Sequence, residues 1–197
     1  MADIAAFHTG NNAALIAKCA TLGYLRPEDH VLDLTYGLGG WWKLWQPTAG
    51  VVSNDLYVDA AQYHADFTNP PAWMVNYDVV TLDPPYRLRG TPDSTFDTRY
   101  GTQYKATEVD ILSLLTMGAE MAVRCARPGG IVLIKCQDQV CSGRVVWQTQ
   151  YVIDALKGHA TLVERFDMAP ARGQPPGRRQ LHARRGSTLL VFKKEKR

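Results

Sequence analysis

Val31-Leu32-Asp33-Leu34-Thr35-Tyr36-Gly37-Leu38-Gly39-Gly40 is the stretch whose reading decides the fold. Residues 31–34 are apolar except for Asp33, the signature of a short strand buried on both faces of a parallel sheet. The glycine-rich turn 35–40 follows at once. Residues without a Cβ let the backbone approach a ligand closely. Sheets of this kind bind ligands outside the carboxyl ends of their strands, so such a turn belongs to a binding rim.

Working outward, the pattern alternates apolar runs with helical stretches. Residues 11–22 carry Ala13, Leu15, Ile16, Cys19, Ala20 and Leu22 at helical spacing. Trp41, Trp42 and Trp45 suggest a helix after the turn, and 50–53 is a second strand ending at Asn54-Asp55. A helix is expected over 58–66 and a buried strand over 77–82. Residues 107–127 form a strongly periodic helix stopped by Pro128-Gly129-Gly130. A strand at 131–135, a connector at 137–145 and a helix at 146–157 come next. Two strands, 160–166 and 187–192, close the pattern. Segments 87–105 and 169–186 read as long polar loops. The alternation predicts an open α/β sheet, mostly parallel, with helices on both faces. The last two strands have no helix between them and predict an antiparallel hairpin at one edge. Residues 1–197 are expected to form a single domain.

Composition sets bounds on function. The chain is 46% hydrophobic and 21% charged, as in soluble globular proteins. No signal-peptide pattern opens it, and no apolar run approaches the roughly 20 residues that span a bilayer, so a cytoplasmic protein without membrane partners is expected. Cys19, Cys125, Cys136 and Cys141 form no CxxC pair and the histidines do not cluster, so no metal is expected. The net charge of +3 is unevenly placed: residues 165–197 hold ten Lys or Arg against two Asp or Glu. A basic end on a mildly acidic remainder suits a polyanionic partner, although residues 193–197 alone would also suit a solubilising tail.

Asp33 just before the turn suits a ligand carrying an ammonium group and would repel a pyrophosphate, which argues against a nicotinamide dinucleotide. Asp55, eighteen residues after Gly37, stands where an acid accepts hydrogen bonds from ribose hydroxyls, or else caps the following segment. Asp83-Pro84-Pro85-Tyr86 then follows the apolar strand. A tetrapeptide of this type arises by chance in on the order of one chain in a hundred. Its residue types fit one chemistry. The lone pair of an exocyclic amine is delocalised into its base, which makes the nitrogen a poor nucleophile. A carboxylate (Asp83) and a carbonyl (Pro84), each accepting one amine proton, draw the nitrogen toward a tetrahedral shape. Pro84 and Pro85 fix the carbonyl direction and remove competing N–H donors. Tyr86 is the candidate stacking platform for a flipped or single-stranded base.

The turn 31–40, Asn54-Asp55-Leu56-Tyr57, His64-Ala65-Asp66-Phe67 and the segment ending in Asp83-Pro84-Pro85-Tyr86 together resemble motifs I to IV of the class I S-adenosylmethionine-dependent amino-methyltransferases. The resemblance covers nearly the whole chain. It implies a Rossmann-like, seven-stranded sheet and S-adenosylmethionine as cofactor, held by Asp33, Thr35, Tyr36, Gly37, Gly39, Asp55, Leu56, Asp66 and Phe67. Asp66 would meet the adenine amino group and Phe67 would pack on its ring. Residues 7–11 resemble the segment that closes over the methionine end, with Asn11 either there or as a plain helix cap. Lys135, Gln137 and Asp138 either border the base pocket or finish a strand.

The leading Asp, rather than Ser, leans within the family toward adenine N6 over cytosine N4. DNA is the first expected partner and RNA the second. No separate target-recognition domain is expected, so nucleic-acid contacts are expected from Arg87, Arg89, Lys135, Arg144, Arg178, Arg179, Arg184 and Arg185, with the loop arginines suited to phosphates. The rival expectations are an RNA methyltransferase acting on guanine N2 or adenine N6, a protein glutamine methyltransferase, and a nucleic-acid-binding module with a decayed cofactor site.

Overall fold

The structure is a computed structural model and describes residues 6–86, 88, 107–141, 143–169 and 186–196. The elements in chain order are β1 (Phe7–His8), α1 (Asn12–Thr21), β2 (Val31–Asp33), β3 (Val51–Ser53), β4 (Tyr77–Leu82), α2 (Glu108–Cys125), β5 (Ala126–Cys136), β6 (Gln139–Cys141), β7 (Arg144–Val146), α3 (Gln148–Ala155), β8 (Ala160–Met168) and β9 (Thr188–Lys194). A short 3₁₀ turn, Gly40–Trp42, follows β2.

Seven strands form one sheet in the order β1-β8-β9-β5-β4-β2-β3. β9 pairs antiparallel with both β5 and β8, while the pairs β1–β8, β5–β4, β4–β2 and β2–β3 are parallel. The antiparallel pair is the expected one, and the two-residue β1 caps it as a strand that periodicity did not reveal.

The period of two sorts the core into layers. Leu32, Val80, Leu82, Val132, Ile134, Leu190 and Phe192 face α2 and α3. Val31, Val79, Leu133, Leu189 and Val191 face α1 and the indoles of Trp41 and Trp42. On this second face apolar residues give way to Asp33, Thr81 and Lys135 at the strand ends, all three buried. β2 lies between β4 and β3, so the chain leaves it in opposite directions. That reversal opens a crevice at the carboxyl ends of β2 and β4.

Helix ends follow local chemistry. Thr107 and Asp110 form a reciprocal capping box at the start of α2. Asn11 caps α1, its side chain accepting from the Ala14 amide.

Three expectations are corrected. Residues 58–66 form turns instead of a helix, because a bridge between Asn54 and Tyr63 and paired bonds from Asn54 to Ala65 hold the segment against the end of β3. The helix after the glycine turn is only the 3₁₀ turn, whose indoles are anchored in the core. The connector after β5 contains the hairpin β6–β7, reversing through Gly143 at φ 79°. Among the described residues no helix is long and apolar enough to cross a membrane, and no group of three His, Cys, Asp or Glu side chains is placed to hold a metal.

Candidate active site

The glycine turn and the Asp-Pro-Pro-Tyr segment meet at the crevice. The backbone amide of Asp83 donates to Thr35 Oγ1 at 2.6 Å. Thr35 thus joins the two segments directly.

Asp33 lies beneath the turn, 3% exposed. It accepts from the Thr35 amide at 3.0 Å and from Trp42 Nε1 at 2.7 Å. Burial pushes its carboxyl up to about 7, against the pull of the Trp42 and Thr35 hydrogen bonds. Its first task here is to shape the turn.

Gly37 and Gly39 adopt φ of 55° and 68°, a left-handed conformation that side chains resist. A Cβ built on Gly37 would meet nothing within 4 Å, so this peptide borders open space. At Gly39 a Cβ would stand 2.6 Å from the Tyr36 hydroxyl. Asp55 binds back onto the turn, accepting from the Gly37 amide at 2.9 Å and the Tyr57 amide at 3.0 Å. Leu56 beside it is exposed.

Asp66 is exposed and accepts from the amide and hydroxyl of Thr68, both at 2.8 Å. Phe67 packs against the core, its ring resting over Gly118 of α2, where a Cβ would come within 2.8 Å. Both residues owe their position to the fully buried Asn54, which bonds Leu34 O and both polar groups of the Ala65 backbone. Sequence reasoning missed Asn54. Its signal was a polar residue at the very end of an apolar strand.

Asp83 Oδ2 accepts from Lys135 Nζ and from Trp41 Nε1, each at 3.2 Å. Among the described residues no hydrogen bond reaches Asp83 Oδ1 or the Pro84 carbonyl. The Asn12 amide orientation that satisfies its neighbours puts its oxygen 3.2 Å from both Lys135 Nζ and Trp41 Nε1. Lys135 also lies over the Tyr86 ring, 5.5 Å from its centroid. Burial would pull its ammonium down, but the Asp83 carboxylate, aided by Tyr86, outweighs burial and holds it above the ordinary lysine range. Lys135 thus lies against the Asp-Pro-Pro-Tyr segment. At 6% exposure and paired with Asp83, it faces inward.

The segment Gln137-Asp138-Gln139 supports the tetrapeptide from behind. The Tyr86 carbonyl accepts from Gln148 Nε2 at 2.7 Å and from Gln139 Nε2. Buried Asp138 accepts from the amide and hydroxyl of Thr149 near the start of α3. Gln148 is a second residue that the sequence did not single out.

Arg144 is exposed on β7 and paired with Glu108. Arg87, Arg89, Arg178, Arg179, Arg184 and Arg185 lie outside the described residues. All four cysteines are buried, and burial raises the thiols of Cys19, Cys125 and Cys136 well above the reactive range.

No protein-family model and no curated protein sequence matches the chain. Solved structures do. MccD is 14% identical with a TM-score of 0.59, over 92% of this chain and 96% of its own. NSun6 from Pyrococcus horikoshii, in a structure with SFG, is 14% identical with a TM-score of 0.57, over 94% of this chain and 52% of its own. TrmN from Thermus thermophilus is 14% identical with a TM-score of 0.54, over 92% of this chain and 48% of its own. The chain thus spans about half the length of NSun6 and TrmN. At this identity the likeness speaks to architecture alone, a Rossmann-like α/β fold around a mostly parallel seven-stranded sheet.

Proposed function

We propose that the protein is an S-adenosylmethionine-dependent methyltransferase acting on an exocyclic amino group of a nucleobase, with adenine N6 in DNA as the first candidate. One observation carries this reading. Asp83 Oδ1 and the Pro84 carbonyl are adjacent acceptors without partners among the described residues, on the same crevice as the glycine turn.

The residues at the turn fit the cofactor. Open space over Gly37 admits a ligand against the backbone, and the Asp55 carboxylate beside it has lone pairs left for ribose hydroxyls. Phe67 offers a ring face for adenine, held in place over Gly118. When bound, the cofactor supplies an electrophilic methyl group. Asp83 and the Pro84 carbonyl would each accept one proton of the target amine, which localises the nitrogen lone pair and orients it. This is positioning and electrostatic preorganisation, without a covalent enzyme intermediate. Tyr86 would stack on the base.

The leading Asp favours adenine N6 over cytosine N4. The basic residues of 165–197 favour a nucleic acid over a protein glutamine. RNA is the second reading. Nucleoside mass spectrometry after incubation with unmethylated DNA or RNA tests the proposal. N6-methyladenine in DNA is expected. Methylation confined to RNA would transfer the reading to the second substrate, and no methylated base in either would end it. Asp83→Ala is expected to abolish transfer while cofactor binding, measured by calorimetry, survives.

A further inference from the structure

The least expected group at the site is a buried lysine on the acid meant to hold the amine. Lys135 ends β5 on the face shared with α1 and touches three neighbours: Asp83 Oδ2, the Asn12 amide oxygen and the Tyr86 ring. Trp41 Nε1 grips the same oxygen of Asp83 and the same Asn12 oxygen. A carboxylate on a freely rotating side chain presents its two oxygens interchangeably. Here two donors converge on Oδ2, so the carboxylate has one orientation and Oδ1 is left to the substrate.

The charge matters as well as the geometry. Asp33 lies close enough to Asp83 for the two acids to repel. Two like charges in one desolvated crevice need a compensating partner. Lys135 supplies the compensating positive charge, and a lysine paired so closely has little left to offer a phosphate.

We infer that Lys135 is a positioning residue for the proposed methyl transfer, fixing the Asp83 carboxylate through Oδ2 and turning its Oδ1 toward the target amine, with Trp41 and Asn12 holding the arrangement. This rests on the functional reading above. Among the described residues, the titratable groups close to Asp83 are its partner Lys135, Asp33 from β2 and Cys136 from β5.

The test compares the wild-type protein with Lys135→Met, a substitution of similar length that removes only the charge and its donors. The Asp83 carboxyl carbon is followed by NMR in ¹³C-labelled protein. Its chemical shift is expected to change in the variant, because Oδ2 loses its ion pair. With a DNA acceptor, kcat should fall about 10- to 100-fold, as when a reacting group is misplaced. KM for DNA, cofactor affinity and the salt dependence of DNA binding should stay unchanged. Trp41→Phe, which keeps the charge, should lower kcat less. An unchanged Asp83 carboxyl signal overturns the inference, and so does an unchanged kcat. A salt dependence reduced by about one ion would make Lys135 a phosphate contact instead. An inactive wild-type protein with a changed carboxyl signal in the variant would sink the functional reading while leaving the Lys135–Asp83 pairing standing.

Discussion

The Thr35 hydroxyl accepts a hydrogen bond from the backbone amide of Asp83 at 2.6 Å, across 48 residues of sequence. The bond fastens the tetrapeptide to the turn expected to hold the methyl donor, so the spacing of acceptor and donor depends on one side chain. Thr35→Val preserves shape and removes the acceptor. The half-buried Asp83 amide then lacks its partner, which costs about 1–3 kcal/mol. Urea unfolding should report that loss. Methyl transfer should fall by more than stability alone explains, and Thr35→Ser should restore most of it. Equal rates for the Val and Ser variants would refute this role.

Stability should depend on pH through Asp33. Its carboxyl ionises near 7 when folded, against an ordinary value of 3.8, because burial disfavours the charge. Below about pH 4 it is protonated in folded and unfolded chains alike. As pH rises toward 7 the unfolded chain releases this proton and the folded chain keeps it, so folding stability falls. Above about pH 7 both forms are ionised and the loss is complete, at most about 4 kcal/mol. Asp33→Asn should flatten this part of the curve. Parallel slopes for the two proteins, from urea unfolding between about pH 5 and pH 8, would show that Asp33 does not titrate in this range.

Gly118 should be intolerant of larger residues for the sake of Phe67. A Cβ there would lie 2.8 Å from the Phe67 ring and 3.2 Å from Leu82. In Gly118→Ala the gain in helix propensity, about 1 kcal/mol, offsets part of an overpacking cost of about 1–3 kcal/mol. Stability should therefore change little while the ring is displaced. Calorimetry should show weaker S-adenosylmethionine binding out of proportion to any shift in Tm. Unaltered affinity would remove Phe67 from the cofactor site.

Gln148 is fully buried and donates to the Tyr86 carbonyl at 2.7 Å. Gln148→Leu keeps bulk and deletes the donor, at a cost of about 1–3 kcal/mol. Freed from this clamp, Tyr86 should hold the base less well. KM for nucleic acid should rise severalfold while cofactor affinity holds. A change in cofactor affinity alone would contradict the assignment.

The local codes of the chain are what its sequence determined. The period-two runs in β2, β4, β5 and β9 place their side chains in two core layers without knowledge of partners, because strand geometry alone alternates the faces. The capping box at Thr107 is equally local. So is the Asp-Pro-Pro-Tyr segment, whose residue types alone offer a carboxylate, a carbonyl fixed by proline and an aromatic ring. What lay between such signals was misread. Periodicity suggested a helix over residues 58–66, and pairing with Asn54 prevented it. Only the tertiary structure decided what the charged residues at the strand ends are for. The sequence leaves Lys135 between a base-pocket residue and a polar strand end, because a lysine in sequence carries no record of its surroundings. In the fold it shares a buried face with Trp41 and Asn12, and there its ammonium finds a nearer anion in Asp83. Burial and the neighbouring charge set the role of an ionisable group, and both arise only when distant segments meet.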